Sequence, residues 1–350
     1  MVRDKMNISL FSAHQYDNIY FERAKCSSSL DATFTYHQQL LSKETAILAK
    51  NADAVCVFVN DTVDKGVLGQ LDSYGVRAVF LRCAGYNNVD LEAAAHLGVF
   101  VANVPSYSPE SVAEFAVALI QSLNRKTCVA HERVRIGNFS LNGLAGFALH
   151  GKTVGIIGTG KIGICFARIM AGFGCRLLAF DPVPNEEFLR YGKVVELETL
   201  LEESDIISLH CPLVQSTKHI INRESLSQMK PGAVLVNVSR GELIDSGAVI
   251  ESLKQKHLGA LAIDVYERER PLFYSDHSSD IIDDDVLMRL FTFPNVIVTG
   301  HQAFLTEEAL TEIAKVTMEN MTCFGQKMKC KNDLTRGDIM ALQARRNSRI

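Results

Sequence analysis

The sequence predicts an α/β protein built of two parallel-sheet domains, with the second inserted into a discontinuous first. Three observations carry that reading. Short apolar runs alternate with amphipathic stretches along most of the chain. The alternation restarts as a second, more regular series at Thr153. The glycine-rich turn that normally opens such a series appears only at Gly158, and a further helical segment follows the last strand.

Size and composition allow this. At 350 residues there is room for two domains of about 150 residues each. Apolar residues make up 47% and charged residues 22%, as in ordinary globular proteins. The formal charge of -4 gives no sign of a nucleic-acid partner. Arg3 and Lys5 precede only a short apolar run, Ile8 to Phe11, which fits neither a signal peptide nor a transit peptide. No stretch approaches the roughly 18 apolar residues of a membrane span, so the expected compartment is the cytosol. The nine cysteines (Cys26, Cys56, Cys83, Cys128, Cys165, Cys175, Cys211, Cys323 and Cys330) form no CxxC pair, and several lie in apolar runs. They read as reduced, mostly buried thiols, with no disulfide framework and no metal site. Cys83 and Cys211 lie in loops near the candidate site, where a reactive thiol is the competing reading to packing.

The elements follow in order. Ile8 to Phe11, Ala54 to Val59, Ala78 to Leu81 and Val99 to Ala102 read as buried strands, with a helical Asp90 to Leu97 before the last. Ser108, Pro109 and Glu110 supply a capping hydroxyl, a first-turn proline and a first-turn acid. Val112, Phe115, Ala116, Leu119 and Leu123 continue at helical spacing, which predicts a long, largely buried helix. A polar connection runs around Arg135 to Gly143. Six strands are then expected at Thr153 to Ile157, Arg176 to Phe180, Asp205 to Leu209, Ala233 to Val238, Leu261 to Val265 and Val296 to Thr299, the doubly wound count. Thr306, Glu307 and Glu308 open a helix to about Cys323, and after Lys331 the sequence turns polar as a frayed tail. The expected domains are residues 1–103 with 304–335, residues 104–303, and a flexible tail at 336–350.

Gly158, Thr159, Gly160, Lys161, Ile162 and Gly163 link the apolar strand at Thr153 to Ile157 directly to the helical run Ile164 to Phe173. A bare GxGxxG is weak, but this one has the strand and helix that a dinucleotide site requires. Gly158 permits the tight turn, Gly160 lets backbone approach a pyrophosphate, and Gly163 lets helix pack on strand. The helix N-terminus offers N–H groups to the phosphates. Asp181 ends the next strand about 20 residues on, where a carboxylate accepts from the ribose hydroxyls and repels a 2′-phosphate. No Arg or Lys follows until Arg190, so the expected cofactor is NAD rather than NADP.

Arg240, Glu269 and His301 stand at or just after the C-terminal ends of the last three expected strands, where a doubly wound sheet binds its ligand. Their chemistry suits reduction of a 2-keto acid. An arginine fork pairs with a carboxylate, a histidine donates a proton near its ordinary pKa of about 6.5, and a neighbouring carboxylate favours an imidazolium. Any one of the three alone reads equally well as a strand cap, a charged loop residue or a satisfied loop histidine. His131, His210 and His257 have no such setting and read as structural or surface groups.

Asn237 to Gly241, Asp264 to Glu269 and Gly300 to Phe304 resemble the signatures of the D-isomer-specific 2-hydroxyacid dehydrogenases, over residues 7 to 330. Within that family the loop Leu81 to Asp90, the long acidic stretch Phe273 to Asp285 and the run His301 to Thr306 are most similar to the fermentative D-lactate branch. The expected fold is thus two Rossmann-like/flavodoxin-like domains, the NAD domain inserted into the catalytic one, and D-specificity rests on the resemblance alone. It implies that Arg240 binds the substrate carboxylate and polarises the ketone, His301 delivers the proton and Glu269 pairs with His301. It also implies that backbone N–H groups at Ala84 and Gly85 hold the carboxylate while Tyr107 closes over it. Lys161, Ile162, Asp181, Cys211, Pro212, Thr217, Val238, Ser239, Arg240 and Asp264 fall at positions that contact NAD in the family. A homodimer or homotetramer is implied as well.

Gly300 and Leu305 depart from many relatives, which have Pro before the histidine and Tyr after the Phe, at positions that border the substrate pocket in the family. Glu269 argues against a formate dehydrogenase, which places an amide there. The alternatives left by the sequence are a reductase for hydroxyphenylpyruvate, glyoxylate, hydroxypyruvate or phosphoglycerate chemistry, and an NAD-sensing corepressor scaffold. The absence of a long Pro-rich disordered extension weighs against the last.

Overall fold

The structure is a computed structural model that describes residues 5–270 and 272–335. The chain passes from one compact unit to a second after Ser108 and returns to the first after Phe304.

The first unit begins β1 (Met6–Leu10), α1 (Gln15–Cys26), β2 (Ala32–Tyr36), β3 (Ala54–Val57), α2 (Lys65–Ser73), β4 (Ala78–Leu81), α3 (Leu91–His96) and β5 (Phe100–Ala102). Its five strands are all parallel in the order β2-β1-β3-β4-β5. β3 and β4 are buried at every position, which is why they read as unbroken apolar runs rather than alternating ones. Asp64 and Asp90 cap α2 and α3 by accepting from the backbone N–H groups of Val67 and Ala93, each at 2.9 Å. β2 was not among the expected strands. It is a half-exposed edge with threonine at every second position, so it shows no apolar run.

The second unit opens with α4 (Pro109–Arg125) and α5 (Thr127–Arg135). It continues through β6 (Thr153–Ile157), α6 (Lys161–Gly172), β7 (Arg176–Phe180), β8 (Gly192–Val194), α7 (Leu197–Glu203), β9 (Ile206–Leu209) and α8 (Arg223–Gln228). The remaining elements are β10 (Val234–Asn237), α9 (Ser246–Lys254), β11 (Ala260–Ile263), α10 (Asp285–Phe291) and β12 (Val296–Val298). The sheet is parallel in the order β12-β11-β10-β9-β6-β7-β8. It therefore has seven strands instead of the expected six. The addition, β8, is a three-residue edge strand with no fully buried position, too short and too open to mark itself in sequence. α4 buries Val112, Ala116, Leu119 and Leu123 as their spacing predicts. α5, just ahead of the polar connection, was not among the expected helices, and it buries nothing, so it carries no apolar face to mark it in sequence.

The return segment completes the first unit. Thr306 caps α11 (Glu307–Gly325) by accepting from Ala309 N–H at 3.3 Å. The helix sends Ala314, Met318 and Met321 into the core formed by Ile8, Leu10, Ala54, Cys56 and Phe80. The polar stretch after Lys331 is held as far as residue 335: Asp333 bridges Ala102, and Leu334 N–H bonds Val101 O at 2.8 Å. The tail expected at 336–350 lies outside the described residues.

Candidate active site

In the second sheet the strand order reverses between β6 and β9, which opens a crevice at the carboxyl ends of these strands. The turn Gly158 to Gly163 lies there, as the sequence predicts. Gly158 has φ +103°, and a Cβ on it would stand 2.6 Å from Cys211 N. A Cβ on Gly163 would meet Gly158 O at 2.1 Å, so this glycine lets helix and turn close up. Gly160 differs: a Cβ there would meet nothing within 4 Å. It is also the N-cap of α6 with no side chain capping the first turn, so N–H groups around Lys161 and Ile162 are left to an anion. These residues fit a pyrophosphate. Asp181 follows β7 and accepts from Thr159 N–H at 2.7 Å and Thr159 Oγ1 at 2.9 Å, which joins its carboxylate to the turn.

The loops after β9 and β10 line the same crevice. Ser239 Oγ donates to Cys211 O at 2.7 Å, joining the two loops. Thr217 Oγ1 donates to Pro212 O at 2.7 Å and accepts from Val214 N–H at 2.9 Å, so its hydroxyl shapes the loop itself. Val238 and Cys211 are buried. Burial pushes the Cys211 thiol up to about 12, which leaves it a packed, protonated sulfur.

Arg240 is half-buried just beyond β10, with its backbone carbonyl accepting from Asn237 Nδ2 at 2.8 Å and its Nη1 donating to Ser239 O at 2.7 Å. His301 Nδ1 and Glu269 Oε1 are 3.0 Å apart, and both side chains are largely buried. Glu269 Oε2 accepts from Tyr266 N–H at 3.2 Å. Burial opposes ionisation of Glu269. The His301 hydrogen bond and charge, the Tyr266 N–H and the Arg240 charge outweigh it and hold the carboxyl below its ordinary value. With Nδ1 committed to Glu269, Nε2 is the nitrogen left to face a ligand.

Two further groups act on His301: Asp264, expected from sequence as an NAD contact and not as a partner of the histidine segment, and Tyr274, for which the sequence suggests no role. His301 has φ +55°, a left-handed conformation a β-carbon normally avoids. Asp264, 0% exposed, holds that bend: its carboxylate accepts from Thr299 Oγ1 at 2.6 Å, Gln302 N–H at 2.9 Å and Ala303 N–H at 2.8 Å. Tyr274, from the acidic stretch, donates to His301 O at 3.3 Å, with its ring centroid 5.8 Å from the imidazole. Neither role has a local signal, because each depends on a loop bending back from a distant residue.

Ala84, Gly85 and Tyr107 belong to the first unit. Arg82, beside them, is fully buried, with Nε on Asp17 Oδ1 at 3.0 Å and Nη2 on Ser12 O at 2.6 Å. Cys83 is buried and its Sγ donates to Gly85 O at 3.2 Å, so this thiol too is part of the loop's scaffold. Of the other histidines, His131 is exposed and His257 bonds Leu226 O at 3.0 Å. His210 sits behind the glycine turn with burial pushing its pKa down to about 3, a neutral packing group.

Comparison with known proteins fits this arrangement. The model for "D-isomer specific 2-hydroxyacid dehydrogenase, NAD binding domain" matches residues 117–303. A protein of Aspergillus oryzae named 2-hydroxyacid dehydrogenase A is 59% identical over 333 residues, covering 95% of this chain and 96% of that one. An Escherichia coli protein named D-lactate dehydrogenase is 49% identical over 330 residues, covering 94% of this chain and 100% of its own. The apo structure of D-lactate dehydrogenase from Escherichia coli superposes with a TM-score of 0.86, covering 94% of this chain and all of that one at 47% identity.

Proposed function

The chain belongs to the NAD-dependent D-isomer-specific 2-hydroxyacid dehydrogenases, and from that premise we propose that it interconverts pyruvate and D-lactate, with His301 as proton donor. The 3.0 Å contact between His301 and Glu269 carries the mechanism. The near full-length similarity to a protein named D-lactate dehydrogenase supports the choice of acid.

When bound, NADH supplies the hydride that reaches the keto carbon. The protein's part is electrostatic and positional. The Arg240 guanidinium takes the substrate carboxylate and draws charge towards the ketone oxygen. Ionised Glu269 stabilises a protonated His301 and fixes its ring through Nδ1. His301 gives the Nε2 proton to the oxygen as negative charge develops there, which completes the hydroxyl, and solvent then reloads the imidazole. Backbone N–H groups at Ala84 and Gly85 are proposed as the second hold on the carboxylate, with Tyr107 covering it.

Lys161, Ile162 and Gly160 hold the pyrophosphate in this reading and Asp181 the ribose. Cys211, Pro212, Thr217, Val238, Ser239 and Asp264 form the remaining walls. The nine cysteines are thiols outside any disulfide, in keeping with the proposed cytosolic site of action, and no helix among the described residues is long and apolar enough to cross a membrane. We also take the protein to be a homo-oligomer.

The test is a kcat/KM panel with pyruvate, 2-ketobutyrate, phenylpyruvate and hydroxypyruvate, following NADH at 340 nm. Preference for pyruvate is expected, together with loss of turnover and an unchanged fold in His301→Ala. A preference for phenylpyruvate would overturn the assignment of lactate while leaving the mechanism. NADH binding without turnover of any 2-keto acid would favour a sensing scaffold.

A further inference from the structure

A line of buried asparagines runs behind the Ala84–Gly85 loop within the first unit. Asn103, immediately after β5, is 5% exposed and donates from Nδ2 to Ala84 O at 2.7 Å. Its own carbonyl accepts from Nδ2 of Asn320 on α11 at 2.9 Å. Asn320, 1% exposed, accepts on Oδ1 from Asn332 Nδ2 at 2.8 Å and from the Cys330 thiol at 3.3 Å. The partners fix the amide orientations in turn. Ala84 O and Asn103 O can only accept, so a nitrogen must face each of them, and the Asn320 oxygen is left for Asn332 and Cys330.

From this geometry, and resting on the reading that the loop binds a substrate carboxylate, we propose that Asn103 is a positioning residue for substrate binding. In a trans peptide the N–H points opposite to the C=O. An amide anchored on Ala84 O therefore turns the following N–H, that of Gly85, to the other side of the loop. There it can donate to an anion. A buried side-chain donor at this carbonyl sets the direction of an N–H that no side chain of the loop itself controls. Asn320 and Asn332 keep the anchor from rotating, since its backbone is tied to the last helix.

The contact with a carboxylate is the same in ground and transition states, so its loss raises KM for the acid without lowering kcat. Asn103→Asp keeps the shape but presents an oxygen to Ala84 O, and Asn103→Ser shortens the reach. With the 2-keto acid the wild type prefers, both are expected to raise KM about 10- to 100-fold, the usual range for an oriented hydrogen bond to a charged group. Turnover number should stay within about two-fold. The NADH Kd, from its fluorescence, should be unchanged, and the KM ratio of pyruvate to 2-ketobutyrate preserved, because the carboxylate is common to both. Oxamate binding to the NADH complex should weaken by the same factor.

Equal loss in kcat and KM, or unchanged oxamate binding in folded variants, would overturn the proposal while leaving the dehydrogenase reading intact. If Asn103→Asp fails to fold, Asn103→Ser and Asn320→Ser decide the matter by the same split. A wild type that reduces no 2-keto acid would remove both readings together.

Discussion

Glu269 is kept ionised by three groups around it: His301, the Tyr266 N–H and Arg240. Substituting Glu269→Gln keeps the shape and removes the charge that favours an imidazolium. We expect turnover at neutral pH to fall by about 100-fold, and to recover in part as pH is lowered and bulk protons do what the carboxylate did. A pH–rate profile of variant against wild type checks this, and a loss independent of pH would contradict it. The sign of the stability effect follows from the lowered pKa. The carboxylate stabilises the fold above its ordinary value, and that contribution disappears as pH falls through the lowered one. At this scale the sequence puts Arg240, Glu269 and His301 together only through their shared strand-end positions, and the structure pairs Glu269 with His301 at 3.0 Å. The buttressing that Asp264 and Tyr274 give the His301 segment, 38 and 27 residues away in the chain, was not legible, because it depends on loops that bend back.

The strand-to-helix turn at β6 and α6 separates two uses of glycine. Gly160→Ala places a methyl in open space, so thermal stability should be nearly unchanged while NADH binding weakens at least ten-fold, because that space is the proposed pyrophosphate site. Gly163→Ala drives a methyl into Gly158 O and should lower Tm clearly. Thermal melts with NADH titrations distinguish the two, and a Gly160→Ala protein that binds NADH normally would remove the turn from the cofactor site. The central strands of both sheets were readable because they are buried on both faces. β2 and β8 were not, because edge strands exposed to solvent need no apolar run. Strand ends ran long in the reading at β3, where Phe58 is buried beyond the ladder and continues the apolar signal without continuing the strand.

At the scale of the whole molecule, several large apolar residues among those described are exposed together on α5 and the loop after it. Val134 is 49% exposed, Ile136 81%, Phe139 74% and Leu141 81%, while α5 itself buries nothing. So many large apolar groups in one short segment fit a face covered by a second copy of the chain. Sedimentation should find the wild type as a dimer or larger, and Ile136→Asp with Leu141→Asp should shift it to a smaller species. A wild type that sediments as a monomer would end that reading. The discontinuity of the first unit was visible in the late position of Gly158 and the helix after the last strand. It has a further consequence in time. On a ribosome adding about 5–20 residues per second, the roughly 200 residues between β5 and α11 take on the order of 10–40 s to appear. Throughout that interval Ile8, Leu10 and Phe80 lack the helix that covers them, while the second unit already has every strand of its sheet before α11 emerges. The nascent chain thus completes its first unit last, and the apolar face of its first sheet stays uncovered by α11 until that helix is made.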